Sequence, residues 1–392
     1  MSDIPLKILS VDDEPDLSLL IKQMFRKEIK NGEFEFYFAS NGAEALEVLA
    51  AKKDINIVLA DINMPVMNGL TLLKHIREQN NPLIRVIMVS AYGDMKNIRI
   101  AMNNGAFDFV TKPIDFSDLK ATVLKAGEEI EYLQRKIEQS KRLESLEADI
   151  EAGALIQAAL LPKIKGKLDC CPNVNIFTHY DPAKEVSGDF YDVFPLDDHK
   201  LGFLIADVSG KGIPAAAFML ICHTAIRVYS REDLSPAGIL QKTNDFVNID
   251  NRESMFVTAF FALLNTKTGE LSYAFAGHNK PYIITGKEVR QVDGNQNIAL
   301  GIVENFDYRQ ESVMLNDGDK LFLFTDGITE PVNENGEEFG EERLTGILKR
   351  NIESNVIDTG EKIIRSIEDF THGLPQFDDI TLIGFEYTAN TD

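Results

Sequence analysis

Cysteine is scarce in this 392-residue chain, and the three present, Cys170, Cys171 and Cys222, are odd in number with two adjacent. That argues against a disulfide framework and for a reducing, cytoplasmic setting. Basic residues are also short, 40 against 62 acidic ones, which leaves a formal charge of −22 and no basic stripe. A field of that sign repels nucleic acid and anionic lipid, so neither is expected as a partner. No apolar run approaches the roughly 20 residues that span a bilayer. The opening MSDIPLKILSVDDEP lacks a charged stretch followed by an apolar core, so a soluble chain is expected. The six histidines show no HExxH or other zinc spacing, and no cysteine begins a CxxxxxR loop. Zinc hydrolase and cysteine phosphatase chemistry are set aside on those grounds.

What is abundant is carboxylate, placed with a pattern. The strings VSGDFYD, ADVSGKG, FTDGITE and FDDIT put Asp189, Asp192, Asp207, Asp326, Asp378 and Asp379 at or just beyond the ends of apolar runs. Several carboxylates converge on one point only if a cation neutralises them, because like charges a few ångströms apart otherwise shift their pKa values or open the site. A metal-dependent hydrolase is therefore the first expectation, and oxygen ligands favour Mg²⁺ or Mn²⁺ over zinc.

The length implies two or three domains. From Lys7 to about Ala121 the runs KILSV, EFYFA, INIVLA, IRVIMVS and FDFV alternate with segments of helical length. This alternation predicts an α/β domain over residues 1–121, a doubly wound five-strand parallel sheet with helices on both faces. Ligands of such sheets bind beyond the carboxyl ends of the strands. Asp12 and Asp13 follow the first strand, Asp61 the third, Ser90 the fourth and Lys112 the fifth.

Residues 122–161 read as a helical linker, rich in Glu, Lys, Leu and Ala and ending before Pro162. A helix of about 40 residues is about 60 Å long and seldom stable without a partner face. Ile130, Leu133 and Ile137 follow coiled-coil spacing, and so do Leu143, Leu146 and Ile150, but out of phase with the first group. A parallel homodimeric coiled coil with a heptad skip near Ser140 is expected; a solvated single helix is the alternative. Beyond Pro162, residues 162–392 carry seven strand-like runs interrupted by helices near 214–229, 235–250 and 358–371. That pattern predicts an α/β sandwich of two sheets flanked by helices.

Over its first part the chain resembles a two-component receiver domain. The resemblance implies that Asp61, followed by INMPVMNG, accepts a phosphoryl group, and that Asp12 and Asp13 hold Mg²⁺ together with Asp61 and the carbonyl of Asn63. Lys112 would offset the acyl-phosphate charge, with Pro113 at the family's cis position. Ser90 and Phe109 would form the switch, and the phosphodonor would be a histidine kinase. Roughly residues 155–386 resemble the type 2C (PPM) serine/threonine protein phosphatases of the bacterial branch that acts on sigma-factor regulators. That resemblance implies two or more Mn²⁺ or Mg²⁺ ions held by Asp189, Asp207, the carbonyl of Val208, Asp326 and Asp378. Asp379 and Asp192 are further candidates, since a one-residue shift at a strand start changes which side chain faces the metal. Asp207 would bridge the ions, and a water between them would attack phosphorus without a protein nucleophile. His278, in AGHNKP, reads as structural.

Two functions of different class follow. One is a response regulator whose Asp61 controls a serine/threonine phosphatase acting on an anti-sigma-factor antagonist. The other is a non-catalytic adaptor that binds a regulator through a degenerate phosphatase fold. Metal-dependent turnover of a phosphoester separates them.

Overall fold

The computed structural model describes residues 5–249, 251–295 and 297–389. The chain divides into two compact units, Met1–Leu146 and Glu147–Asp392. In the first, β1 (Leu6–Val11), α1 (Pro15–Met24), α2 (Arg26–Lys30) and β2 (Phe34–Ala39) are followed by α3 (Gly42–Ala51) and β3 (Ile57–Asp61). Then come α4 (Gly69–Glu78), β4 (Arg85–Ala91), α5 (Met95–Asn103) and β5 (Asp108–Lys112). The five strands are parallel in the order β2-β1-β3-β4-β5. Because side chains alternate along a strand, Ile8, Ile57, Leu59, Ile87 and Val89 fill one face with Ile21 and Phe25. Leu9, Val58, Ala60, Val86 and Met88 fill the other with Ala45, Leu72 and Ile98. The five expected strands are all present, and their carboxyl ends carry Asp12, Asp61, Ser90 and Lys112.

Helix α6 runs without interruption from Phe116 to Leu160. Asp115 starts it, accepting from the Ser117 amide at 2.8 Å as a capping carboxylate does. Leu119, Val123, Ala126 and Ile130 are buried in the core of the first unit. The helix thus begins six residues before the linker boundary expected at 122, and its first turns belong to the first unit. Ile130, counted from the sequence as the first residue of an apolar seam, is only 2% exposed and belongs to that core. Leu143 and Leu146 are exposed.

The second unit continues with β6 (Lys165–Leu168), β7 (Cys171–Asp181), β8 (Phe190–Pro195), β9 (Lys200–Val208), α7 (Ile213–Tyr229) and α8 (Pro236–Asn248). Next are β10 (Val257–Asn265), β11 (Glu270–Ala276), β12 (Tyr282–Thr285), β13 (Glu288–Gln291) and β14 (Gln310–Met314). The last elements are β15 (Lys320–Phe324), a 3₁₀ turn at Asp326–Ile328, α9 (Gly340–Arg350), α10 (Val356–Thr371) and β16 (Ile380–Tyr387). One sheet has the order β14-β11-β10-β9-β8 and the other β13-β12-β15-β16-β7-β6. Inner faces of both sheets share a core in which Phe203 and Phe385 stack at 4.1 Å, and α7 and α8 join it through Met219, Ile226 and Leu240. On the second sheet, Phe177, Phe322 and Phe324 pack against Leu344, Ile347 and Ile363 of α9 and α10. Burial of each such large apolar side chain stabilises by about 1.5–3 kcal/mol. Among the described residues no helix is long and apolar enough to cross a membrane.

Candidate functional site

In the first unit, Asp12, Asp13 and Asp61 bring carboxylate oxygens within 4.8 Å of one another. Lys112 reaches across from β5, with Nζ 2.8 Å from Asp12 Oδ2, 2.9 Å from Asp61 Oδ2 and 3.1 Å from Glu14 Oε1. The Lys112–Pro113 peptide is cis. Burial opposes the lysine's charge, but these carboxylates outweigh it and raise its pKa. Burial, above all, raises Asp12. The Asn63 amide lies 3.4 Å from Asp61 Oδ1. Ser90 is fully buried, and its hydroxyl points to the Ala91 carbonyl at 3.5 Å rather than to Asp61. Phe109 is half-buried against the core that holds Val86 and Met88. The structure thus assembles Asp12, Asp13, Asp61 and Lys112, and leaves Ser90 and Phe109 at neighbouring strands.

In the second unit both sheets contribute carboxylates at one end of the sandwich. β8 begins where antiparallel β9 ends, with Phe190 opposite Ala206, which places Asp189 beside Asp207. β15 ends where β16 begins, with Phe324 opposite Leu382, which places Asp326 beside Asp378 and Asp379. Glycines permit this closeness. A Cβ on Gly188 would lie 2.9 Å from the Val208 carbonyl oxygen, and one on Gly327 would lie 1.9 Å from the backbone carbonyl oxygen of Asp379.

The electrostatics agree with convergence. Asp189 is buried and accepts from Thr325 at 2.7 Å and Thr381 at 2.6 Å, both on Oδ2. Burial and then Asp207 push its carboxyl well above the ordinary range. Burial, Asp326 and Asp378 push Asp207 up to about 7. Asp326 is raised by burial and then by Asp378, and Glu330 by burial and then by Asp326. Among the described residues, however, no three of these carboxylates come within 4.8 Å as Asp12, Asp13 and Asp61 do.

The paired aspartates of FDDIT separate in role. Asp379 is occupied by protein, accepting from the Ala183 amide at 2.8 Å and from Ser187 Oγ at 2.6 Å. Asp378 faces Lys211, whose Nζ lies 2.9 Å from its Oδ2. Asp192 is not brought to the cluster. It stands three residues after Asp189, so the strand's alternation turns it to the opposite face. There it meets His223 at 2.8 Å and Arg227 at 3.3 Å, both on α7. His278 is buried and bonds Thr258 at 2.9 Å through Nδ1. Sequence reasoning gives no role to Thr325, Thr381, Gln157 and Lys211, and reads Ser187 as a small departure without effect on the ligands, whereas its Oγ bonds both Asp379 and the Asp189 amide. Thr325, Thr381, Ser187 and Lys211 lie inside the same motifs as the aspartates, where a hydroxyl or cation beside a carboxylate was the available signal.

With this geometry in view, residues 8–124 match the response regulator receiver domain family, and residues 197–388 match the stage II sporulation protein E (SpoIIE) family. Phosphoserine phosphatase RsbU of Bacillus subtilis is 33% identical over 244 residues, covering 61% of this chain and 70% of that protein. Protein IcfG of Synechocystis sp. is 29% identical over 265 residues, 60% of this chain and 41% of IcfG, so the chain spans less than half of that relative. The SiaA-PP2C domain of Pseudomonas aeruginosa shares the fold of the second unit, with a TM-score of 0.55, 24% identity, and coverage of 63% of this chain and 98% of that one. The chain belongs to the SpoIIE-type branch of the PP2C phosphatases and carries a response regulator receiver domain ahead of its phosphatase domain.

Proposed function

We propose that this chain is a response regulator whose output is dephosphorylation of phosphoserine or phosphothreonine on a protein, an anti-sigma-factor antagonist, with a histidine kinase supplying the phosphoryl group for Asp61. The observation that carries the reading is the convergence of Asp189, Asp207, Asp326 and Asp378 from two sheets, close enough to push Asp207 up to about 7. A cluster so frustrated without a counterion fits divalent cations: its donors are all oxygen, and Gly188 leaves the Val208 carbonyl uncovered. Asp189, Asp207, Asp326, Asp378 and the Val208 carbonyl would hold two or more Mn²⁺ or Mg²⁺ ions, and Asp12, Asp13, Asp61 and Asn63 one Mg²⁺. Such ions, when bound, supply charge neutralisation and activation of water toward phosphorus. Thr325 and Thr381 fix the orientation of Asp189, and Lys211 neutralises Asp378 at the mouth of the cluster. The name of RsbU supports the phosphoserine class of substrate.

Residues 122–161 act as the connection between input and output, in a cytoplasmic homodimer. With Ile130 taken into the receiver core, the stripe free for a partner helix starts at Leu133 and continues through Ile137, Leu143, Leu146 and Ile150. Lys112, already bonded to Asp12 and Asp61, would offset phosphoryl charge.

The test is Mn²⁺-dependent release of phosphate from a phosphoserine peptide, with and without acetyl phosphate. Turnover whose rate acetyl phosphate changes supports the reading. Cation binding without turnover favours the adaptor instead.

A further inference from the structure

We propose that Gln157 is a positioning residue for the acidic cage, locking the last turn of α6 to the segment that carries Asp189. The inference rests on reading the cage as a divalent-cation site. Gln157 is 4% exposed. Its Nε2 donates to the Ser187 carbonyl at 2.7 Å, and its Oε1 accepts from the Ser187 amide at 3.1 Å. One side chain thereby pairs with both backbone groups of one residue, as a strand would in a ladder. Ser187 is 1% exposed, so without Gln157 a buried N–H and a buried C=O lose their partners.

From Ser187 the connection continues into the cage. Its Oγ accepts from the Asp189 amide at 2.9 Å and donates to Asp379 Oδ2 at 2.6 Å. The next residue, Gly188, packs under the Val208 carbonyl, so this segment has little room to drift. Gln157 therefore fixes Ser187, and Ser187 fixes both Asp189 and the Asp379 carboxylate. Successive residues of an α-helix are about 100° apart around the axis. A change in helical phase at the end of α6 breaks both Gln157 bonds together and releases the Ser187–Asp189 segment. Cation affinity then depends on the phase of a helix whose other end, at Phe116, lies in the receiver.

Calorimetric titration of Mn²⁺ into the full chain, in a background where Asp12→Asn and Asp13→Asn remove the cation site of the first unit from wild type and variants alike, tests this. Gln157→Met keeps side-chain length but cannot pair with both peptide groups, and it should weaken Mn²⁺ binding by about tenfold or more, as loss of an outer-shell partner does. Ser187→Ala keeps the clamp but deletes the hydroxyl link to Asp379. It should weaken binding too, and the double variant should bind no worse than the weaker single one. Circular dichroism of the metal-free variants reports folding. A folded Gln157→Met chain with wild-type Mn²⁺ affinity overturns the proposal, as does full additivity of the two losses. If Gln157→Met does not fold, wild-type affinity in Ser187→Ala overturns it. A wild-type chain that binds no Mn²⁺ overturns the cage reading instead, which keeps the two failures distinct.

Discussion

Thr381 donates a 2.6 Å hydrogen bond to Oδ2 of Asp189, a carboxyl with almost no access to water. Thr325 donates to the same oxygen from the neighbouring strand end, and the two motifs FTDGITE and FDDIT are tied by the Thr325 amide donating to the Thr381 carbonyl at 3.2 Å. Hydrogen bonds to a charged acceptor contribute about 1.5–3 kcal/mol. Both favour the ionised form of Asp189 against the burial that opposes it. Thr381→Val keeps the shape and removes the donor, so Mn²⁺ affinity should fall by about 10- to 100-fold. Equilibrium titration checks this, and unchanged affinity would mean that Asp189 does not bind the ion.

The pH dependence of cation binding follows from Asp207. In the metal-free chain its carboxyl is pushed up to about 7 by burial and by Asp326 and Asp378. A cation must displace the proton held below that value, so affinity should rise as pH rises through about 7 and level off above it. The linked stability has the opposite sign. A carboxyl with a raised folded-state pKa favours the folded state at low pH and loses that contribution as pH rises through about 7. Calorimetry in buffers of different ionisation enthalpy should detect proton release on Mn²⁺ binding near neutrality. Heats independent of the buffer would contradict it.

His278 gives a separate acid limb. Burial lowers its pKa from 6.5 to about 4, though the Phe324 backbone partly favours the charged form. Its Nε2 has no hydrogen-bond partner of good geometry, so a proton there is poorly housed. The unfolded chain takes up that proton first. Stability is therefore fully present above 6.5 and is lost as pH falls toward about 4, by about 3 kcal/mol at most. Urea unfolding of wild type and His278→Gln across that window should show a shallower pH slope in the variant. Equal slopes would remove His278 from the acid response.

Much of this was legible in the sequence because regular patterns carry it. The five receiver strands alternate strongly with helical segments, and Asp12, Asp61, Ser90 and Lys112 stand at or just beyond strand carboxyl ends. In the second unit the long apolar runs gave β7, β9, β10, β11, β12, β15 and β16. The four edge strands β6 (KGKL), β8 (FYDVFP), β13 (EVRQ) and β14 (QESVM) were missed: β6, β13 and β14 are polar and partly exposed, and β8 is a short run that begins inside the acidic string VSGDFYD. Helix α9 went unseen because GEERLTGILKR holds two glycines and five charges. The aspartates were legible; their partners were not. Gln157 and Ser187 lie 30 residues apart and meet only through tertiary packing, and Asp192 is removed from the cluster by strand parity alone.

The input is tested at Asp61 and at the linker. Asp61→Asn removes the proposed acceptor carboxylate, so acetyl phosphate with Mg²⁺ should no longer change the phosphatase rate. A single residue inserted beside Ser140 brings Leu133 and Ile137 into one heptad register with Leu143, Leu146 and Ile150. That variant should be a stable dimer whose rate ignores acetyl phosphate. Crosslinking and rate measurements check both. A monomeric or fully responsive insertion variant would contradict a coiled-coil linker.

Asp207 stands beside Asp189 and is repelled by Asp326 and Asp378. The most direct measurement is therefore Mn²⁺-dependent hydrolysis of a phosphoserine peptide by wild type and Asp207→Asn, with acetyl phosphate labelling of Asp61 followed in the same samples. The account predicts that the wild type turns over, that the variant loses about 10²-fold or more of its rate, and that Asp61 is labelled equally in both. A variant that keeps near wild-type turnover in Mn²⁺ would contradict it.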